Sequence, residues 1–486
     1  MLSKLPKLFL YLLGVVLILN LLQANFTNLI FDEAYYWYYA KNLDWGYFDH
    51  PPMVALMIKI GSFFFDGELG VRFMSTVLSI GTMLLLWAII DHPKKKDYVL
   101  HFYLVTFSMT LLNAYGFFAL PDTPLIFFTT LFLYVYKRFI ASPSVVLAIV
   151  LGVVMAALMY SKYNAVLVIV FVLFSNLKLI KDKYAILAVI VAFVCYTPHF
   201  LWLYENDFVS IKYHLFDRPN QAYNFNKFTL GYFLNLIAIF GFTFPLVYYI
   251  LYKTKPKDLF ERALMFLTYG VLLFFFVSSF SKRVQTQWIV VISIPMVLII
   301  FNYIIDNEKI RKWFYGFGIA NIVILLYLRV WLIYQPLFPI VFETHGNKKW
   351  ISEIEDAAVG SPIIFENSYQ DAPIYEFYTG KQAITLNNIR YRQNQYSIDD
   401  AEASVQGKRV YYLSKYRKEA GRSFPMGDGR HTMYGSFMDN FESYRRLKCI
   451  IEIDEIQFNT EKTQTMKVYN PYKVAIPLDK IRFGIA

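Results

Sequence analysis

Apolar residues in this chain do not alternate with polar ones at the helical or the strand period. They run on for a bilayer's width at a time, separated by short polar or basic breaks. A helix needs about 20 apolar residues to cross the hydrocarbon, and somewhat fewer where its neighbours thin the bilayer. The runs predict spans at 7–24, 71–90, 98–117, 122–139, 143–160, 163–177, 184–203, 229–252, 263–280, 288–305 and 313–334. The pair 143–160 and 163–177 also fits a single broken re-entrant unit. The first run follows Lys4 and Lys7 as a signal peptide would, but it lacks a small-x-small cleavage site and is expected to be a retained helix. No internal repeat of the kind that marks many secondary transporters is visible in the residues.

After Gln335-Pro336 the pattern changes to Glu, Asp, Asn, Gln and Arg, and a soluble domain of roughly 150 residues is expected there. Pro362 to Phe365 and Arg409 to Leu413 predict strands, Ala372 to Tyr378 a short helix, and Gly427-Asp428-Gly429 a turn or mobile loop. The expected class is a polytopic α-helical membrane protein with about 11 spans over residues 1–334, followed by an α/β domain over 335–486.

Composition agrees: 57% hydrophobic and 17% charged residues exclude an ordinary soluble protein. The net charge of +11 does not point to nucleic acid, because no dense basic block with interleaved aromatics exists. Instead Lys94-Lys95-Lys96, Lys137-Arg138, Lys178 with Lys181 and Lys183, Lys253 with Lys255 and Lys257, and Lys309 with Arg311-Lys312 fall in alternate loops. The positive-inside rule then predicts a cytoplasmic N-terminus, with residues 25–70, 117–122, 161–163, 204–228, 281–287 and the C-terminal domain outside the cell. Cys195 in an apolar run and Cys449 near the C-terminus belong to different environments, so no disulfide between them is expected.

The predicted outer loops hold the candidate chemistry. In the first loop, 25–70, Asp32, Tyr36, Tyr39 and Leu43 would share one face of a helix lying along the interface, where Tyr and Trp are favoured. Asp32 is otherwise simply an N-cap for that helix. Asp49-His50-Pro51-Pro52 adds a carboxylate and an imidazole able to bind a metal ion or a phosphate, or else is a plain turn before a helix. Arg72 is either a buried partner for these acids or a cation reaching the interface. Asp122 starts a span between two prolines, which by itself suits a helix start. Lys162 is a lone cation between two apolar runs, on the side where basic residues are scarce. His214, Arg218, Lys282 and Arg283 stand beside aromatics in later outer loops, where cations hold phosphate or contact lipid headgroups. No P-loop, dinucleotide fingerprint, zinc-protease motif or C-x-x-C occurs.

Asp32-Glu33-Ala34-Tyr35-Tyr36, Tyr47-Phe48-Asp49-His50-Pro51-Pro52, Arg72-Phe73, Pro121-Asp122-Thr123-Pro124-Leu125, Ser161-Lys162 and the Lys282 to Trp288 loop follow one another in order. As an ordered set they resemble the bacterial GT-C glycosyltransferases of the protein-mannosyltransferase and aminoarabinose-transferase type. Residues 390–396 resemble the outer domain of these proteins more weakly. The resemblance implies a multi-helix membrane core, interfacial helices in the first outer loop and a soluble outer domain. It implies inverting transfer of a sugar from a polyprenyl-phosphate donor to a lipid, glycan or protein acceptor at the outer face of the bacterial cytoplasmic membrane. Asp32 matches the family's general base and Glu33 the acid that supports it. Asp49-His50 departs from the Glu-Lys common before Pro-Pro in relatives. The missing cation for the donor phosphate would come from Lys162, Lys282, Arg283 or Arg218, or from a divalent metal ion held by Asp49 with His214; His50, Arg72 and Asp122 complete the expected donor or substrate contacts. A flippase or transporter of a lipid-linked saccharide is the alternative, and a receptor or scaffold working through its outer domain a third reading. Both leave the ordered loop set less well explained, since a transporter would place its polar residues at mid-membrane.

Overall fold

The computed structural model describes residues 5–217, 222–388, 391–399, 401–418, 421–427, 431–451 and 465–481. The chain divides into two compact units, residues 1–349 with 426–430, and residues 350–425 with 431–486. Arg218 and the Asp428-Gly429 part of the expected turn lie outside the described residues.

The first unit is helical: α1 (Lys7–Phe26), α2 (Phe31–Lys41), α3 (Met53–Phe64), α4 (Gly67–Ile89), α5 (Val99–Ser108), α6 (Thr110–Ala114), α7 (Asp122–Ala141), α8 (Val145–Ser161), α9 (Val166–Ser175), α10 (Lys183–Glu205), α11 (Val209–Lys212), α12 (Gly231–Phe240), α13 (Phe244–Lys253), α14 (Leu259–Ser278), α15 (Ser293–Asp306) and α16 (Glu308–Ile333). Among the described residues, 7 helices are long and apolar enough to cross a membrane. The expected spans at 143–160, 163–177 and 288–305 are shorter helices, and 98–117 is broken at Met109, whose extended backbone separates α5 from α6. Residues 143–160 and 163–177 form two helices that part at Lys162, one packed on α10 and the other on α14. The run 229–252 bends at Gly241, which has φ +52° and would place a Cβ 2.2 Å from Asn321 Oδ1, so only glycine fits. α15, buried from Ser293 to Phe301, forms the middle of the core against α5, α7, α13 and α14. The protein is a polytopic α-helical membrane protein, with α2 and α3 as the expected extra helices of the first loop.

One ion pair ties the first loop to the bundle. Glu33 and Arg72 are both 0% exposed. Arg72 Nε donates to Glu33 Oε1 at 2.7 Å and its Nη2 donates to Oε2, while the remaining N–H groups reach the carbonyls of Ala24, Thr27 and Asn28 at the end of α1. Glu33 also accepts from the Ile30 N–H at 3.2 Å and the Ala119 N–H at 2.8 Å. Four segments, the exit of α1, the start of α2, α4 and the turn before α7, thus meet on two side chains. Every guanidinium donor is engaged, which suits two charges removed from water.

Among the described residues the second unit takes in most of α17 (Asn347–Ala358), α18 (Asp371–Thr379), α19 (Gln395–Ile398) and seven strands: β1 (Ile363–Glu366), β2 (Ala383–Leu386), β3 (Val410–Ser414), β4 (Arg422–Pro425), β5 (Thr432–Met438), β6 (Lys448–Ile451) and β7 (Met466–Tyr469). Five strands form one sheet in the order β2-β1-β3-β5-β4, parallel across β2, β1 and β3 and antiparallel beyond; β6 and β7 pair separately. Ile363, Ile364 and Phe365 run without a polar break because β1 is central, next to β2 and β3. The expected strands and helix fall on β1, β3 and α18, and the unit is α/β. Beyond β1, the buried Asp371 carboxylate accepts from Ser368 Oγ and lies 3.3 Å from His431 Nε2. Burial alone would push this carboxyl up, but the His431 hydrogen bond and charge and the Ser368 hydroxyl more than offset it and hold it below the usual carboxylate range.

Arg72→Leu should cost about 3–5 kcal/mol, because Glu33 is left charged and buried. Replacing Glu33 with Leu as well should recover part of the loss. Thermal unfolding of the detergent-solubilised chain measures both, and an Arg72→Leu protein that melts with wild type would remove the pair as organiser. The Asp371 carboxyl, lowered in the folded state, contributes stability above its unfolded value near about 3.9, and that contribution is lost as pH falls through the folded value. The stability gap between wild type and Asp371→Asn in the full chain should therefore hold from about pH 5 to about 4 and close below it; a gap that widens below about pH 4 would refute this.

Candidate active site

α2 begins after Ile30, and its N-terminal N–H is served by Glu33 reaching back. Asp32 is the second residue of the helix and does not cap it, so the N-cap reading of Asp32 is replaced by a cap from Glu33. Asp32 is partly exposed where Glu33 is fully buried. The helix ends at Lys41, so Leu43 lies beyond it and does not continue the Asp32, Tyr36, Tyr39 face. The tyrosines are buried: Tyr35 and Tyr39 pack edge to face at 4.7 Å, and Tyr39 stacks on Tyr47 at 4.2 Å. Burial, then the neighbouring Tyr35 and Asp49, holds the Tyr39 phenol well above its ordinary value, so it stays protonated and faces Asp49 Oδ2 at 3.4 Å. The start of α2 is further fixed from residues 343 and 344: Glu343 Oε2 accepts from the Phe31 N–H and the Thr344 carbonyl from Asn28.

Residues 44–49 are clamped by α10 and the segment after it. Trp202 Nε1 donates to Asp44 Oδ2 at 2.9 Å, His199 Nδ1 to the Trp45 carbonyl at 2.7 Å, Ser210 Oγ to the Tyr47 carbonyl at 3.0 Å and His214 Nε2 to the Asp49 carbonyl at 2.8 Å. Carbonyls only accept, so His199 carries its proton on Nδ1 and His214 on Nε2 in these bonds. A Cβ on Gly46 would land 2.3 Å from the Trp202 ring, which accounts for glycine there. His50 lies with Tyr36 at 5.6 Å and His214 at 6.3 Å, and Tyr163 is 5.7 Å from His214. Asp49, His50 and His214 lie near one another, and His214 meets Asp49 at its backbone through Nε2. Among the described residues no group of three or more His, Cys, Asp or Glu could hold a metal ion.

Asp122, the first residue of α7, does more than start a helix. Lys162 Nζ, at the break between α8 and α9, donates to its two oxygens at 2.7 and 2.9 Å, and both side chains are at least nine-tenths buried. The charges of Asp122 and Asp32 both act on the buried Tyr115 phenol. Asn164 Nδ2, two residues beyond Lys162, faces the Trp288 carbonyl at 3.4 Å. That carbonyl ends the loop that carries Lys282, whose ammonium lies 5.8 Å over the Trp288 ring, and the exposed Arg283. Asn235 fixes this loop by donating to the Val284 carbonyl and accepting from Thr286.

Sequence reasoning missed Tyr115, Tyr163, His199 and Ser210. His199 alone carried a usable signal, an ionisable group inside an apolar run. Arg72 is the buried partner of Glu33 and not an interfacial cation.

Residues 49–202 match the family model described as dolichyl-phosphate-mannose-protein mannosyltransferase. Over 205 residues the chain is 25% identical to the lipid A galacturonosyltransferase RgtD of Rhizobium johnstonii, covering 40% of this chain and 42% of that one. It thus spans about two fifths of the length of that relative. The crystal structure of ArnT from Cupriavidus metallidurans in the apo state superposes with a TM-score of 0.61 at 13% identity, over 88% of this chain and 97% of that one. The same protein bound to undecaprenyl phosphate gives 0.59 at 13% identity over the same shares. The chain has the fold of ArnT, the GT-C type of fold expected from its sequence.

Proposed function

We propose that this chain is an inverting glycosyltransferase that moves a sugar from a polyprenyl-phosphate donor to a lipid, glycan or protein acceptor at the outer face of the bacterial cytoplasmic membrane. The observation that carries this reading is the division of labour at the start of α2. Glu33 is locked to Arg72, while the adjacent Asp32 remains partly exposed. The basic short loops support a cytoplasmic N-terminus with the C-terminal domain outside. A relative named for lipid A favours a lipid among the acceptors, and a neighbour crystallised with undecaprenyl phosphate favours a polyprenyl-phosphate donor.

In this reaction Asp32 takes the proton of the acceptor hydroxyl as its oxygen attacks the anomeric carbon. The bond from that carbon to the phosphate oxygen breaks with its electron pair leaving on the carrier, so the phosphate gains one negative charge. Cations placed at that oxygen stabilise the developing charge. Lys162, Lys282 and Arg283 are the described cations for this role, with His50 as a protonatable neighbour. Glu33 and Arg72 act as positioning residues, since their donors and acceptors are spent on each other and on the backbone. A divalent ion at Asp49 and His214 is the alternative source of positive charge, and chelation before assay distinguishes it. Transport of a lipid-linked saccharide finds less support, because the acids and cations gather around loops and helix ends.

With purified protein and a labelled polyprenyl-phosphate sugar, Asp32→Asn should lower kcat by about 100-fold or more while donor binding persists. Transfer at the wild-type rate would reject Asp32 as the base. A wild-type protein that neither binds nor consumes any such donor would reject the enzyme reading.

A further inference from the structure

A second polar cleft, of about 430 Å³, lies at the other end of α7 from Asp122. Phe139 and Ile140 near the end of that helix, Asn176 to Leu179 after α9, Asp182 before α10, and Leu259 and Arg262 at the start of α14 line it. None of these residues belongs to the candidate active site. Its charge is one-sided: Lys178 and Arg262 face in with the single acid Asp182, whose Oδ1 is spent on the Tyr184 and Ala185 N–H groups at 2.9 and 2.8 Å. Arg262 Nε is buried and makes no hydrogen bond to the described residues. A guanidinium donor withdrawn from water without an acceptor costs free energy unless something supplies one.

Apart from Asn176, the remaining lining, Phe139, Ile140, Pro143, Leu177, Leu179 and Leu259, is apolar. Leu177 and Ile180, beside the cleft, are 57% and 58% exposed, as side chains facing hydrocarbon would be. Cations set among apolar walls between helix ends match an amphiphile with a phosphate next to acyl chains better than a free anion.

We infer that this cleft binds an anionic phospholipid, with the headgroup phosphate on Arg262 and Lys178 and the acyl chains leaving over Leu177 and Ile180. The site is separate from the proposed donor site, so its lipid is a bound structural ligand and not a substrate. Lys178 falls in one of the loops where positive charge accumulates along the chain, and Arg262 stands in the first turn of α14 just after another, which favours an anionic leaflet on that side.

The test uses the full-length protein in nanodiscs or detergent, with phosphatidylglycerol as probe and phosphatidylcholine as the zwitterionic control, read by native mass spectrometry and by melting temperature. Phosphatidylglycerol should remain bound and raise the melting temperature where phosphatidylcholine does not. Lys178→Gln and Arg262→Gln should each weaken phosphatidylglycerol retention about fivefold. Should Arg262→Gln fail to fold, the exposed Lys178 carries the comparison alone. Equal retention by both variants and wild type would overturn the assignment, as would equal retention of phosphatidylcholine. Stabilisation by glycerol 3-phosphate or inorganic phosphate as strong as by the lipid would also overturn it, in favour of a soluble anion. Asp32→Asn should retain the lipid as wild type does, which keeps this result independent of the transfer assay.

Discussion

The Glu33–Arg72 pair is the constraint from which the rest of the membrane unit's chemistry follows. Two charges at 0% exposure are tolerated only because each is saturated by hydrogen bonds, and the groups that saturate them come from four separate stretches of chain. Fixing Glu33 fixes α2 about its own axis. Successive residues of a helix point about 100° apart, so once Glu33 faces Arg72 the neighbouring Asp32 has to face elsewhere. Two adjacent acids thereby acquire different environments: one is a buried strut, and the other stays accessible to a reacting group.

A second set of contacts gives the first loop its shape without using charge. His199, Trp202, Ser210 and His214 hold residues 44–49 by one indole bond to a carboxylate and three bonds to backbone carbonyls. Backbone carbonyls make such a clamp insensitive to the side chains on the loop, except at Gly46, where the Trp202 ring leaves no room. The Asp49-His50 turn is therefore placed in part through its backbone, with Tyr39 also reaching the Asp49 carboxylate. A site whose supporting contacts are distinct from its reacting groups can keep its geometry while its substrate contacts change.

The apolar runs made the membrane unit legible, because a bilayer demands a length of hydrophobic chain whatever the helices pack against. The breaks inside those runs were less so: Met109 and Gly241 interrupt helices at points set by close neighbours, as the Asn321 side chain under Gly241 shows. The candidate site was legible as a list of residues and not as a set of partners. Asp32, Lys162 and Asp122 stood out as ionisable groups at span edges, yet nothing in periodicity says that Lys162 pairs with an acid 40 positions away or that Glu33, not Asp32, serves the helix N–H groups. Arg72 admitted two readings until burial decided between them. Tyr115 and Ser210 carried no signal, since a tyrosine or serine at a span end is ordinary until its neighbours are known.

The pairing of Lys162 bears on how a phosphate carrier would be released. A lysine buried beside apolar helices is costly to keep charged, and Asp122 offsets that cost before any substrate arrives. In the proposed reaction the leaving phosphate ends with one more negative charge than the donor had, and a cation held at that oxygen would stabilise it. Lys282 and the exposed Arg283 stand in water-accessible loops and are screened by salt, which suits them to drawing in the donor more than to stabilising the charge as it develops. Where the family resemblance would set a lysine this chain has His50, and in the proposed reaction Lys162, buried and paired with Asp122, is a cation that can serve instead.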